Sequence, residues 1–341
     1  MKTITRLVLI FSIGVILHAE AQQQQLSPLF RDEQPLNLEF TLPIREVKKT
    51  KPDSIFFDIT LKYRMPGAPW DSIAAEVRAR GNFRREKCYY PPLRMKIKRA
   101  AGEHTLFAGN KSLKIVLPCQ QSKDANSLIL REYLGYQLYE PMTPYFFNTR
   151  LATVTLVERT GKQTKKHQLV GFLIEDDDVV AERFEGKIRE TVVHPLQLAD
   201  STAITHDFFQ YLISNTDWST VAQHNVKVLQ VKPNRNIPLA YDFDMSGLVN
   251  APYAVVSPLT GQVNVRDRVY RSICRKEDLV EYVRQHYLKN ESSIQEIITR
   301  HARYFSEKDL ADIRSFIEEF FATLKSDQKF KEIFIEKCRK N

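Results

Sequence analysis

The stretch Asn215-Thr216-Asp217-Trp218-Ser219, followed by Asn225 and then by Tyr241-Asp242-Phe243-Asp244-Met245-Ser246-Gly247, carries the densest chemistry in the chain. Asp207 to Ser214 places Phe208, Phe209, Leu212 and Ile213 at helical spacing, which predicts a helix running straight into this stretch. Asn225 to Val231 and Ile237 to Tyr241 predict two strands, joined by a hairpin over Pro233-Asn234-Arg235-Asn236. A helix end and a hairpin thus offer two carboxylates and a carboxamide from separate segments. Where they converge, they supply hard oxygen ligands for one Mg²⁺ (or Mn²⁺) and a carboxylate beside an attacking hydroxyl, the equipment that phosphoryl transfer needs. In that reading Asp217 is the catalytic carboxylate. Asn225, Asp242 and Asp244 are the metal ligands, with Asp244 ranked behind Asp242. The plainer reading makes Asp217 a turn residue bonding its own backbone and Asp244 the start of the Ser246-Gly247 turn.

Upstream of this stretch the pattern changes from helical spacing to alternation. Leu36 to Leu42, Asp53 to Tyr63, Ala75 to Ala79, Leu93 to Lys98 and Ser112 to Leu117 predict strands, with an Arg80-Gly81-Asn82 turn between the third and fourth. A helix through Leu128, Arg131, Glu132, Gly135, Leu138 and Tyr139 follows, with Asn126 or Ser127 at its N-cap and Pro141 after its end. Strands return at Leu151 to Glu158 and Gln168 to Ile174, joined by a polar loop from Arg159 to His167. Asp176-Asp177-Asp178 predicts a solvated loop, because adjacent carboxylates on extended chain point in alternating directions and do not share one ion easily. From Lys276 to Lys337 the apolar residues recur at three- and four-residue steps, which predicts helices.

Residues 1–21 have the three parts of a cleavable secretory signal: Lys2 and Arg6, the apolar run Leu7 to Leu17, and Ala19-Glu20-Ala21 before four glutamines. The apolar run is too short to span a bilayer, so no transmembrane span is expected after cleavage. Residues 22–35 read as a flexible leader, 36–180 as a sheet-rich front with one helix, and 181–341 as a mostly helical back. Export implies a periplasmic or extracellular location. There the four cysteines are expected to pair, with Cys88 and Cys119 favoured because both end neighbouring strand-like segments. A net charge of +9 favours anionic partners such as nucleotides. The basic residues are scattered, so nucleic acid is not expected.

No Gly-x-Gly-x-x-Gly loop and no P-loop is present, so side-chain cations must hold a donor's phosphates. Arg80, on a glycine turn, is one candidate. Lys114, mid-strand before the helix bearing Glu132, is another, with Glu132 holding the lysine. Lys96 is the alternative lysine, and Glu175 faces the expected hinge between front and back. Each also has a bland reading as an outward-facing surface residue. The signatures of serine hydrolases and of His-Glu-x-x-His zinc proteases are missing, and the eight histidines are dispersed.

The ordered set of Arg-Gly-Asn turn, lysine strand, helix, Gly-Phe-Leu-Ile-Glu strand, Asn-Thr-Asp, Asn225 and Asp-Phe-Asp before Gly247 resembles the CotH-type secreted and spore-coat kinases. It also resembles related uncharacterised exported bacterial proteins. The resemblance covers roughly residues 75–250. It implies an α+β, two-lobed atypical protein-kinase-like fold with an antiparallel-sheet-rich N-lobe and a mainly helical C-lobe. It also implies ATP as donor, Asp217 acting on the acceptor hydroxyl of a protein or small molecule, and Asn225 and Asp242 on Mg²⁺. Two other classes stand beside this one: a non-catalytic exported module that binds a nucleotide or anion, and an envelope structural protein.

Overall fold

Alternation of buried and exposed side chains produces β1 (Leu36–Leu42), β2 (Phe57–Arg64), β3 (Asp71–Ala79), β4 (Leu93–Ile97) and β5 (Ser112–Val116), close to the predicted spans. The computed structural model describes residues 26–50, 55–81, 83–258 and 260–340. The signal-like segment, the first leader residues and Asn82 lie outside the described residues. The predicted polar loop from Arg159 to His167 is strand almost throughout. There β6 (Thr149–Thr160) and β7 (Gln163–Glu175) pair as far as Thr160 opposite Gln163, and Gly161 turns the chain at φ +60°. Backbone pairing does not need apolar side chains, so a polar stretch can extend a ladder up to a two-residue turn with glycine at positive φ.

The strands close on themselves. β1 pairs antiparallel with β2 and parallel with β6, giving a seven-stranded closed barrel in the order β1-β2-β3-β4-β5-β7-β6. Closure leaves no unpaired strand edge, and inward side chains including Phe40, Leu61, Val77, Met95, Ile115 and Val154 fill the interior as a core of their own.

The expected two-lobed kinase-like fold is therefore not the fold of this chain. The alternation that predicts strands carries no information on which strand β1 joins, and its bond to β6 turns an open sheet into a barrel. In the mostly helical back half the two expected hairpin strands are present and gain a third. β8 (Lys187–Ile188), β9 (Val226–Val231) and β10 (Arg235–Ala240) form a second sheet in the order β10-β9-β8.

Between the front and back elements runs a shared core. Two short helices, α1 (Ile44–Lys49) and α2 (Phe83–Lys87), and the turn-length α3 (Arg99–Gly102) decorate the barrel. Helix α4 (Ala125–Tyr139) is buried on nearly every side. It packs with Val116, Phe172 and Ile174 of the barrel and with residues of α6 (Asp200–Leu212), α8 (Glu291–His301) and α9 (Glu307–Lys325) in one continuous core. A helix buried on nearly every side needs walls all round, and the barrel is one of them. The helix α5 (Asp177–Arg183) lies directly after β7, and α7 (Glu277–Lys289) opens the predicted C-terminal helical run.

The cysteines pair as Cys88–Cys119, the pairing favoured from the strand ends, and Cys274–Cys338. Sequence separations of 31 and 64 residues correspond to about 4 kcal/mol each of lost unfolded-chain freedom. Paired cysteines belong to a chain that folds in an oxidising compartment. Among the described residues no helix is long and apolar enough to cross a membrane.

Candidate functional site

The end of α6 and the end of β10 are tied together by backbone bonds. Gly247 N donates to Ser214 O and Leu248 N to Ile213 O, both at 3.0 Å. A side chain at Gly247 would place its Cβ 2.6 Å from Val265 O, so only glycine allows this approach. The Asp-Phe-Asp sequence then sorts itself by polarity. The Phe243 ring enters the core against Tyr136 (4.6 Å between centroids) and Phe209 (5.4 Å), while Asp242 stays partly exposed and Asp244, though buried, turns to a charge partner. Asp242 N donates to the Tyr136 hydroxyl at 2.8 Å.

Asp217 and Asn225 meet as expected. Asn225 Nδ2 donates to Asp217 O at 2.7 Å and to Asp217 Oδ2 at 3.0 Å, so its side-chain oxygen faces the other way. His224 Nε2 lies 3.0 Å from Asp217 Oδ1, and the Asp217 amide donates to Asn215 Oδ1 at 3.0 Å. The hydrogen bond to Asp217 holds the His224 imidazole above its ordinary range. Ser214, Gln223, Asn225 and Asp242 adopt left-handed backbone with φ of +50°, +49°, +53° and +63°. Four such non-glycine residues in the segments around one cluster mark strain held by its surroundings, which is common at functional sites.

At the centre stands Arg84 of α2. Its Nη1 is 3.3 Å from Glu132 Oε2 and 3.9 Å from Asp242 Oδ1, and its Nε is 3.6 Å from Asp244 Oδ2. Its Nη2 donates to Leu117 O at 2.8 Å. Burial works against its charge, but Glu132 and Asp244 hold the guanidinium above its ordinary value. Burial also pushes Glu132 and Asp244 upward against the pull of Arg84. Charge pairs alone do not satisfy this cluster. Arg84 Nε, Glu132 Oε1, Asp242 Oδ1 and Asp244 Oδ2 are buried without a hydrogen-bond partner. Unpaired buried polar atoms cost free energy unless something fills the gap.

Further cations stand along the neighbouring barrel strands. Arg80 has its own buried, unpartnered Nε, and its charge acts on Glu132, Lys114 and Tyr241. Arg78, Arg94 and Lys114 stand side by side across β3, β4 and β5, with Arg78 over the Phe56 ring (5.2 Å), Arg94 on Asp176 and Lys114 on Asp177. Lys114 lies over the rings of Phe147 (4.7 Å) and Tyr241 (5.5 Å). Burial pulls its ammonium below the ordinary value, with Asp177 opposing.

Several sequence expectations are relocated. Glu132 holds Arg84 rather than Lys114, and Lys114 pairs instead with Asp177, which also takes Lys227 at 3.5 Å. The Asp176-Asp177-Asp178 run is not a solvated loop. It caps and opens α5, with Asp176 also bound to Arg94 at 2.6 Å. Lys96 lies two residues along β4 from Arg94, its ammonium 4.2 Å over the Phe56 ring on the barrel exterior. Glu175 faces no hinge. Its carboxylate accepts from Asn148 N at 2.6 Å and Asn148 Nδ2 at 3.0 Å, and pairs with Arg183. Arg84 and Asp177 escaped sequence reasoning. Within Arg84-Arg85-Glu86-Lys87 nothing separates the fully buried arginine from its half-buried and exposed neighbours except Cys88, whose disulfide pins that helix beside the end of β5.

No family model and no curated protein matches the chain. The site therefore has to be read from its own chemistry. Among the described residues no three acidic, histidine or cysteine side chains close a metal cage by themselves. Mg²⁺ does not require one, since it commonly takes one or two carboxylates and completes its shell with substrate phosphates and water. The free buried oxygens of Asp242 and Asp244, together with the Asn225 amide oxygen, are hard donors of that kind.

Proposed function

We propose that the chain is an exported phosphotransferase, similar in site chemistry to the CotH-type kinases, that passes phosphate from ATP to a hydroxyl on a protein or small molecule. The observation that carries this reading is the buried Arg84 among Glu132, Asp242 and Asp244, with the Asp217–Asn225 pair joined to the Tyr241-Asp242 segment by Tyr241 N donating to Asn225 O at 3.2 Å. Acidic oxygens for a divalent ion, facing a row of cations for phosphate, are what a dissociative phosphoryl transfer uses. Mg²⁺ (or Mn²⁺), when bound by Asp242, Asn225 and Asp244, supplies neutralising charge for the donor's phosphate oxygens.

Each protein residue then has a role. Asp217 orients the acceptor hydroxyl and takes its proton, while Asn225 and His224 fix the plane of the carboxylate. Arg80 attracts the phosphates, and Lys114 joins it only where Asp177 releases the ammonium. Glu132 keeps Arg84 in place, and Arg84 holds Asp242 and Asp244 at a common centre. The secretory signal and the two disulfides support export to a periplasmic or extracellular space.

The purified protein is expected to incorporate labelled phosphate from ATP with Mg²⁺ or Mn²⁺, and Asp242→Ala to abolish it without unfolding the chain. Undiminished labelling by Asp242→Ala would remove Asp242 from the metal site. One observation favours a second reading. Lys114 is already neutralised by Asp177, as suits a module that binds an anion without turnover. Such a module would be stabilised by nucleotide and label nothing.

A further inference from the structure

Helix α4 presents two different faces. Glu132 and Tyr136 look toward Arg84 and Asp242, whereas Tyr133, Gln137 and Glu140, at three- and four-residue steps, line a cavity of about 480 Å³. That volume is in the range of small-molecule sites. Its apolar wall includes Phe30, Tyr133, Phe146 and Phe184. Most of its charges are already matched: Asp32 with Arg150 at 3.6 Å, Glu33 with Arg300 at 2.8 Å, and Arg183 with Glu175. Arg31 is exposed and donates through Nε to Leu26 O at 2.9 Å.

Glu140 is the exception. One of its oxygens accepts from Gln137 Nε2 at 2.8 Å, and no cationic side chain among the described residues lies within ion-pair reach of it. Burial pushes its carboxyl up to about 8; Glu33 and Glu175 add to the rise, while Arg300 and the Gln137 hydrogen bond oppose it. A half-buried carboxylate without an ion-pair cation, beside aromatic rings in a cavity, is complementary to a protonated amine carrying a compact hydrocarbon group.

We propose that this cavity binds a small organic amine, its ammonium received by Glu140 and its hydrocarbon part resting on Phe30 and Tyr133. The site is separate from the Asp217 cluster and does not depend on phosphate transfer. Benzylamine and its neutral counterpart benzyl alcohol, titrated calorimetrically into the whole protein, test it. Benzylamine is expected to bind at least tenfold more tightly than the alcohol, and more tightly at pH 8.5 than at pH 6.5 as Glu140 ionises. Glu140→Gln, which keeps the shape and the Gln137 contact, is expected to erase the preference. Phe30→Ala is expected to weaken both ligands. Equal binding of amine and alcohol by the unaltered protein, or an undiminished preference in folded Glu140→Gln, would overturn the proposal, as would failure of benzylamine to bind.

Discussion

Arg84→Met is expected to cost about 3–5 kcal/mol of folding stability, the largest loss from any single side chain at the site. Methionine fills much of the volume, so the loss is electrostatic. Glu132 and Asp244, 1% and 3% exposed, would remain buried with no compensating cation. The defect has a definite pH dependence. Both carboxyls are already pushed upward by burial, and without Arg84 their folded-state values rise further above those of the unfolded chain. The folded state then binds more protons than the unfolded state, so stability falls as pH rises through the range between the two values. Denaturant unfolding at pH 5.5 and pH 8 checks this, with the larger defect expected at pH 8. Adding Glu132→Gln is expected to restore part of the loss. A defect of equal size at both pH values would mean that Arg84 acts through packing rather than charge.

Asp217→Asn is expected to lower the rate of phosphate transfer by roughly 10²–10⁴-fold, the usual contribution of a positioned general base, while nucleotide affinity changes little. Asp217 sits at the rim, its side chain 39% exposed, and it takes no part in the Arg84 charge cluster. The asparagine keeps one oxygen to accept from Asn225 Nδ2 and turns its NH2 to a neutral His224 Nε2, and the Ser219–His224 backbone bonds are untouched, so the loop from Ser219 to Asn225 should hold its shape. Single-turnover kinetics separates the two effects. A variant with an unchanged rate of transfer would show that another group accepts the proton.

Local elements were legible because their signals are local. The alternation in Leu36 to Leu42 and the helical spacing through Leu128 and Leu138 appear as β1 and α4, and the strand-end cysteines at 88 and 119 pair. The meeting of Asp217 with Asn225 was likewise signalled, because the expected helix end and the expected strand start bring these two polar residues to one turn. What escaped was set by long-range contacts. β1 chooses β6 across more than a hundred residues of chain, and no periodicity encodes that choice. Lys114 and Glu132 follow the order of a lysine and its helix glutamate, yet Arg84 on α2 reaches Glu132 first and Asp177 on α5 takes the lysine. Lys96 and Lys114 differ in burial only because the barrel wall under Lys114 is covered by Tyr241 and α5, while that under Lys96 is open.

The central claim is that the carboxylates around Arg84 form a divalent-ion site which, with the facing cations, holds a nucleoside triphosphate. Calorimetric titration of ATP into the whole protein, with and without Mg²⁺, tests it most directly. The account predicts saturable binding that requires the ion and is lost in Asp242→Asn. Binding that is indifferent to Mg²⁺ and to that substitution, or no binding under either condition, would contradict it.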